Sequence, residues 1–186
     1  MVNSLALDLA STIRHDGDGG VLDTLTSVDG LRLFLADVGC VDVAASDALL
    51  VRVVEVRAAT RALFARAVEP GPPSRADANR LMPLDDAVAV INRSAALAPV
   101  TPVLAWPPSS TMHTVAGVSP DDAVLATLAR ATIEFLTSPA AADLRACTAP
   151  RCVRYFVKGH GRQEFCKPSC SNRARAARHY SRTHAA

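Results

Sequence analysis

Aromatic residues are scarce in this sequence of 186 residues: they make up 4% of it, whereas hydrophobic residues make up 49%. The chain therefore has enough hydrophobic residues for a core, which must consist mainly of leucine, valine and alanine. Long apolar runs are also missing. No apolar stretch reaches the ~18 residues that a membrane span requires, so we expect no membrane association. Residues 1–4 carry no basic side chain before the first short apolar run, which predicts no signal peptide and a cytoplasmic protein.

Cysteine is nearly absent from the first part of the chain, and acidic residues are nearly absent from the last part. Residues 1–146 hold only Cys40, whereas four cysteines lie in residues 147–186. The first part carries 17 acidic and 11 basic residues, a net charge of −6; the second carries nine basic residues and Glu164, a net charge of +8. This asymmetry favours a polyanion as the partner of the basic part. It fits equally a solvated tail that docks on its own acidic body.

Motifs of the common enzyme classes are absent. The sequence contains no phosphate-binding loop, no G-x-S-x-G and no H-E-x-x-H. Two acidic pairs, Asp85-Asp86 and Asp121-Asp122, each fit the first turn of a helix, where carboxylates face the positive end of the helix dipole. We therefore expect that the protein is not an enzyme.

Helical periodicity dominates residues 1–146. Its strongest stretch covers about 46–68, where apolar residues recur every three or four positions, arginines fall between them, and Pro70-Gly71-Pro72-Pro73 follows. Pro83 is expected to open a helix whose apolar stripe is Leu84, Val88, Ile91 and Ala95, and Ser119-Pro120 is a typical helix start. Residues 101–117 instead predict a β-hairpin around Pro107-Pro108. The fold class is thus mainly α, with a multihelical domain at 1–146 that should stay folded without metal.

The four clustered cysteines have the spacing of metal ligands. They form two close pairs, Cys147-x4-Cys152 and Cys166-x3-Cys170, and each pair supplies two thiolates from one tight turn, as tetrahedral zinc requires. We therefore predict one structural Zn²⁺. Two disulfides would need an oxidising compartment, which nothing in the sequence indicates. His160 could replace one cysteine, but its place in a glycine-rich turn favours a solvated side chain. Cys40 is read as an ordinary part-buried thiol.

The segment between the two pairs predicts a second β-hairpin. Residues 153–157 and 163–165 are strand-like, and 158–162 join them as a turn. A helix should begin near Cys170. This layout, in residues 147–186, is similar to a treble-clef finger whose metal site consists of four cysteines.

A basic face is predicted on the helix that follows the last ligand. Arg175, Arg178, His179 and Arg182 fall within about 100° of one another on a helical wheel, and Tyr180, on the other side, could pack on the finger. Arginine binds phosphate and guanine bidentately. The predicted nucleic-acid contacts are these four residues together with Arg173, Lys158 and Arg162. The alternative is a solvated terminal helix.

The segment from Cys170-Ser171-Asn172-Arg173 to Tyr180 resembles the signature of the CGNR zinc-finger proteins, and Cys147-x4-Cys152 and Tyr155-Phe156 fit the same pattern. The body is similar to the ABATE domain that usually precedes this finger; the resemblance there lies in Leu5-Ala6-Leu7-Asp8, Ile91-Asn92 and the strand with Leu104 and Trp106. Ser171 stands where the signature has glycine, so a positive φ there would be costly, and Phe165 stands where tryptophan is common. The resemblance implies a bacterial transcription regulator, in some members linked to the stress response.

Three function classes remain open at this point. The first is a regulator whose finger binds double-stranded DNA while the helical domain senses a small-molecule effector or forms a homodimer. The second is a protein-interaction module whose basic helix docks on an acidic partner. The third is an RNA-binding protein, which would need stacking aromatics. Tyr155 and Phe156 are neighbours on a predicted strand, so at most one of them faces outward, which weakens the RNA hypothesis.

Overall fold

The computed structural model describes residues 4–16, 20–77 and 81–183, so the outermost ends of the predicted domains 1–146 and 147–186 lie outside the described residues. The helices are α1 (Leu5–Ala10), α2 (Val28–Asp37), α3 (Asp47–Ala67), α4 (Leu84–Ala95), α5 (Pro120–Thr137) and α6 (Pro168–Thr183), with a 3₁₀ helix at Pro139–Asp143. The strands are β1 (Ile13–His15), β2 (Val21–Asp23), β3 (Val100–Ala105), β4 (Ser109–Thr114), β5 (Leu144–Ala146) and β6 (Tyr155–Val157).

The strands pair as antiparallel hairpins, β1 with β2, β3 with β4 and β5 with β6. The mainly α fold with small hairpins and a C-terminal cysteine finger is therefore as predicted, and the β3–β4 hairpin lies where the proline-centred pattern placed it. The β1–β2 hairpin was not predicted, because strands of three residues carry too little alternation to be recognised. In the described parts of the chain, no helix is both long and apolar enough to cross a membrane.

Serine caps fix where three of the helices begin. The side chains of Ser27, Ser46 and Ser119 each accept a hydrogen bond from the amide three residues further on, at the starts of α2, α3 and α5. The predicted start of α5 at Ser119-Pro120 is confirmed. Gly39 follows α2 with a φ of 81°, a left-handed conformation that glycine adopts without steric cost and that ends a helix.

The main core surrounds α3, which packs against α1, α2, α4 and α5. Its members are leucines, valines and alanines, as the composition predicts, including Leu31, Leu49, Val53, Leu125 and Leu128. The predicted apolar stripe of α4 is partly wrong, since Leu84 and Val88 are exposed. The buried face of α4 instead consists of Ala87, Val90, Ile91 and Ser94.

A second apolar cluster joins the helical body to the finger. The ring of Phe64 in α3 packs at a tilt against Phe135 of α5, with ring centroids 5.1 Å apart, and edge-to-face against Tyr155 of β6, at 5.6 Å. Leu144 of β5 belongs to the same cluster and is fully buried. The strand β5 ends before residue 147 but pairs with β6 beyond it. Body and finger therefore share part of one core across the predicted domain boundary.

Candidate functional site

The first cysteine pair lies in a tight turn at the end of the β5–β6 hairpin. The amide of Cys147 donates to the carbonyl oxygen of Arg154 (2.9 Å), which extends the ladder, and the amide of Cys152 donates to the carbonyl oxygen of Ala149 (3.0 Å). Arg151 completes the turn with a φ of 64°. This backbone path brings the two thiols to the same side of the hairpin.

The second pair lies at the start of α6. Cys166 precedes the helix, Pro168 is its first residue, and the amide of Cys170 donates to the carbonyl oxygen of Lys167 (3.0 Å). Ser171 is part of the helix. Within residues 4–16, 20–77 and 81–183, Arg151 is the only non-glycine residue with a positive φ, so the cost expected for serine at position 171 does not arise.

The four sulfur atoms fit one tetrahedral zinc ion. They all lie within 4.8 Å of one another, with Sγ–Sγ distances of 3.7 Å between Cys152 and Cys166 and 3.5 Å between Cys166 and Cys170. Ligands at about 2.3 Å from a tetrahedral zinc lie about 3.8 Å apart. The cluster is therefore able to bind one zinc ion, as its spacing predicts. His160 is exposed and does not belong to it.

The protonation of the thiols depends strongly on their neighbours. The hydrogen bond with Cys152 raises the pKa of Cys147 to about 11. Hydrogen bonds with Cys147 and Cys152, and then burial, raise the pKa of Cys166 further. The pKa of Cys152 is lowered, because its thiolate accepts hydrogen bonds from Cys147 and Cys166. The other thiols thus stabilise one negative charge in the cluster. A divalent cation would displace the protons of these thiols, which would then also bind it as thiolates.

Arg173 lies against the metal centre. Its Nη2 donates to Sγ of Cys170 at 3.2 Å, and its Nε is buried without a hydrogen-bond partner. Arg173 was predicted as a nucleic-acid contact, yet its guanidinium faces the cysteines. Four thiolates around Zn²⁺ carry a net charge of −2, so a guanidinium at this distance offsets part of that charge. Phe165, which stands where tryptophan is common, also packs on the cluster.

The outer face of α6 is basic and exposed. Arg175, Arg178, His179 and Arg182 lie on it, as the helical wheel requires, while Cys170 and Ala174 form the buried face. Tyr180 is 64% exposed, so most of its surface faces solvent rather than the finger. Among the residues that the structure describes, these arginines form no ion pair with the acidic body.

The loop before α6 contributes to the same basic surface. Arg162 and Arg178 line one cleft of about 390 Å³ together with His160 and Lys167, and Glu164 is the one acidic residue in its lining. Lys158 lies apart from this cleft and donates from Nζ to the carbonyl oxygen of Gly161 (2.8 Å). The structure thus brings Arg162 and α6 together, whereas it ties Lys158 to its own turn.

The predicted pairing of 153–157 with 163–165 is wrong, because β6 pairs with β5 instead. Side-chain hydrogen bonds occupy the later segment. Gln163 accepts from the amide of Gly159 (2.7 Å) and donates to the carbonyl oxygen of Phe165 (3.0 Å). The amide of Lys158 donates to the carbonyl oxygen of Asp143 (2.9 Å), which continues the β5–β6 ladder.

Two buried arginines of α3 were missed at the sequence level. Arg57 pairs with Asp23, and Arg61 pairs with Asp77; both arginine side chains are at most 5% exposed. Their positions in the helical repeat could have revealed them, because Arg57 follows Val53 by four residues and therefore lies on the core side of the helix. The pattern of apolar residues alone does not identify a buried arginine, because the acidic partner that a buried charge needs is distant in the sequence.

Comparison with known protein families gives two matches that together span nearly the whole chain. The ABATE model, described as "Putative stress-induced transcription regulator", matches residues 3–139. The model of the CGNR zinc finger matches residues 144–183, which include the four cysteines and α6. A search of curated proteins found no match.

Proposed function

Because the chain belongs to the ABATE family and ends in a CGNR zinc finger, we propose that it is a bacterial transcription regulator that binds double-stranded DNA through α6 and the preceding loop. A zinc ion bound by the four cysteines would join α6 to the β5–β6 hairpin, because Cys166 and Cys170 lie at the start of α6 and Cys147 and Cys152 lie at the end of the hairpin. Four protein thiolates leave no open position on the metal, so the proposal assigns no catalysis to it.

The basic cleft beside α6 is the observation that carries this proposal. Arg178 on the helix and Arg162 on the loop line the same cleft with Lys167. Cationic side chains that converge from two backbone segments can contact several phosphates of one duplex and so fix the orientation of the protein on it. Arg175 and Arg182 continue the exposed face along α6, so that the helix can follow the DNA backbone or enter a groove.

Two observations favour duplex DNA over the alternatives. Tyr155 and Phe156 are both buried, at 3% and 9% exposure, so the strand offers no aromatic platform on which unpaired bases of RNA could stack. The arginines of α6 have no acidic partner in the described body, which weakens the idea that the helix is a tail docked on its own domain.

We also propose that the helical body binds a small polar effector in its largest described cavity among those lined by body residues, next to α1 and α2. About 880 Å³ lies between α1, the β1–β2 hairpin and α2. Its lining contains Asp8, Asp29 and Asp37 from the body and Arg154 from the finger. A polar effector bound there would contact both parts of the molecule and could alter the position of the finger. Thermal unfolding measured with panels of small polar molecules tests this assignment; the Arg154→Ala variant should respond less to an effector that uses that side chain.

The direct test of the proposed function is duplex binding by the zinc-loaded full chain. Fluorescence anisotropy with a labelled duplex of random sequence, followed by selection of bound fragments and sequencing, should reveal binding that weakens steeply with salt. Equal or tighter binding to single-stranded RNA would replace the proposal by the RNA alternative. No binding to either nucleic acid would leave the protein-interaction hypothesis. Because thiolate ligands require reducing conditions, we also propose that the protein acts in the cytoplasm.

A further inference from the structure

The β3–β4 hairpin stands away from the rest of the molecule. Every residue from 101 to 117 is exposed, and residues 99–119 contain no Asp, Glu, Lys or Arg. A two-stranded hairpin on its own is at best marginally stable in water. Exposed apolar surface without any such charge is unusual on a protein with 20% charged residues. Such a surface indicates an interaction site.

The two faces of the hairpin differ in character. Residues that are directly opposite in an antiparallel pair point to the same face. The pairs Val100–Thr114, Pro102–Met112 and Leu104–Ser110 define one face, which is largely apolar. The alternating pairs Thr101–His113, Val103–Thr111 and Ala105–Ser109 define the other, which is largely polar. The hairpin is therefore amphipathic although neither face is covered by the described parts of the chain.

The apolar face carries strongly exposed hydrophobic side chains. Leu104 is 75% and Met112 is 60% exposed, and Trp106, next to them at the turn, is 85% exposed. A single tryptophan buries about 150–250 Å² when covered. Two such faces packed together would remove on the order of 1,000 Å² from water, which is the size of a weak, transient interface.

The edge of β3 is protected against pairing with another strand. The amide of Val115 donates to the carbonyl oxygen of Pro99 (3.0 Å), so the hydrogen-bonded pairs of this ladder are those of the odd-numbered residues. Pro102 therefore belongs to a pair that is not hydrogen-bonded. Its backbone nitrogen, which has no hydrogen to donate, therefore points outward from the sheet. Recognition through this edge is disfavoured, which leaves the apolar face as the surface to be covered.

We propose that the apolar face of the β3–β4 hairpin packs against the same face of a second copy of the chain, so that the protein is a homodimer. An uncharged partner surface is required, because any charge set against this face would lose its hydration without gaining an ion pair. An identical hairpin satisfies that condition and forms an isologous, self-complementary contact. This inference goes beyond DNA binding, since the contact does not involve α6.

The chain contains a built-in reporter for the test, because Trp106 is its only tryptophan. Sedimentation equilibrium and tryptophan emission are measured on the zinc-loaded full chain without nucleic acid, from about 1 to 100 µM, a span around the µM affinities of weak interfaces of this size. We expect a dimer at the upper end and an emission maximum that shifts to shorter wavelength as the dimer forms.

Leu104→Lys and Met112→Lys, made separately, should each shift the monomer–dimer equilibrium at least tenfold toward monomer and keep the emission at the monomer wavelength. Thr111→Lys is the matched control: it adds the same charge to the polar face of the same hairpin and should stay dimeric. Far-UV circular dichroism and zinc content establish that each variant is folded. A wild-type chain that is monomeric throughout, or a dimer that both apolar-face variants retain, would overturn the proposal.

Discussion

The phenol of Tyr155, in the finger, donates a hydrogen bond of 2.7 Å to Oδ2 of Asp77, in the body. Asp77 also accepts from Nε and Nη2 of Arg61, at 2.8 and 2.9 Å, and Nη2 reaches the carbonyl oxygen of Val153 in the finger at 3.2 Å. All three side chains are buried. Burial, and then the negative charge of Asp77, raise the pKa of Tyr155, so the phenol remains a donor at every physiological pH. These contacts attach the finger to α3.

Removal of the carboxylate of Asp77 should destabilise the protein strongly. Asp77→Ala leaves the guanidinium of Arg61 buried without its counter-charge, a change that costs about 3–5 kcal/mol. The free energy of unfolding from urea titrations at 25 °C measures this effect. The control is Arg66→Ala on the same helix, which breaks an exposed pair with Glu69 and should cost less than about 1 kcal/mol. Similar losses in the two variants would contradict a special role for the buried pair.

The network shows where sequence reasoning succeeds and where it fails. The four cysteines were recognisable because ligands of one type recur in two short intervals, and α5 because its cap and first proline are adjacent. Arg61 and Asp77 are 16 residues apart, and Asp77 and Tyr155 are 78 apart. No local period connects them, since only the packing of α3 against β6 brings them together. The pairing of β5 with β6 was missed for a related reason: three-residue strands give no pattern that selects one partner.

Chelation of zinc should weaken the body as well as the finger. The sequence suggested a body that stays folded without metal, but Tyr155 belongs to a cluster with Phe64 and Phe135. Loss of the finger's structure would release its hydrogen bond to Asp77, worth about 1–3 kcal/mol, which corresponds to a fall of roughly 3–10 °C in the Tm of the body. Hydrogen exchange in peptides of α3, with and without a zinc chelator, locates the effect. Unchanged exchange in α3 would support the independent body that the sequence suggested.

Glycine is predicted to fit the backbone conformation at position 151 better than Arg151 does. Its φ of 64° costs an ordinary residue roughly 1–2 kcal/mol, which glycine avoids, although glycine loses about 0.4–1 kcal/mol to the greater freedom of the unfolded chain. Arg151→Gly should therefore be neutral or stabilising by up to about 1.6 kcal/mol, whereas Arg151→Val should destabilise, because a β-branched residue fits this conformation poorly. Both variants remove the same exposed charge. Thermal unfolding of the zinc-loaded protein compares them, and a less stable glycine variant would contradict strain at this turn.

Arg173 should matter for zinc rather than for DNA. Its guanidinium donates to Sγ of Cys170, and loss of such a partner of a metal ligand typically lowers metal affinity about 10–100-fold. We expect this loss in Arg173→Ala, measured by competition with a chromophoric chelator, and partial recovery in Arg173→Lys. Arg175→Ala removes a neighbouring exposed arginine of the same helix and should leave zinc affinity unchanged. Equal zinc affinity in Arg173→Ala and Arg175→Ala would show that the contact with Cys170 does not stabilise the site.

The exposed arginines of α6 should set the salt dependence of DNA binding. Each phosphate contact releases about one counterion, so the slope of log affinity against log salt should lose about 0.9 for each arginine removed. Replacement of Arg175, Arg178 and Arg182 together by alanine should therefore flatten the slope by roughly 2–3 units, while the helix persists, since alanine is the best helix former. Zinc content should not change, because none of the three is a ligand.

A matched variant separates this local effect from the loss of charge in general. Replacement of Arg32, Arg66 and Arg93 by alanine also removes three exposed positive charges, but all of them lie on the helical body, where each already pairs with a nearby acid. This control should keep the slope of the wild-type protein. If the α6 variant instead kept its affinity and slope while it lost stability, the arginines would serve the fold. If both triple variants flattened the slope equally, the protein would attract DNA through its overall charge. A direct contact with DNA depends on where the arginines lie, whereas attraction by overall charge does not.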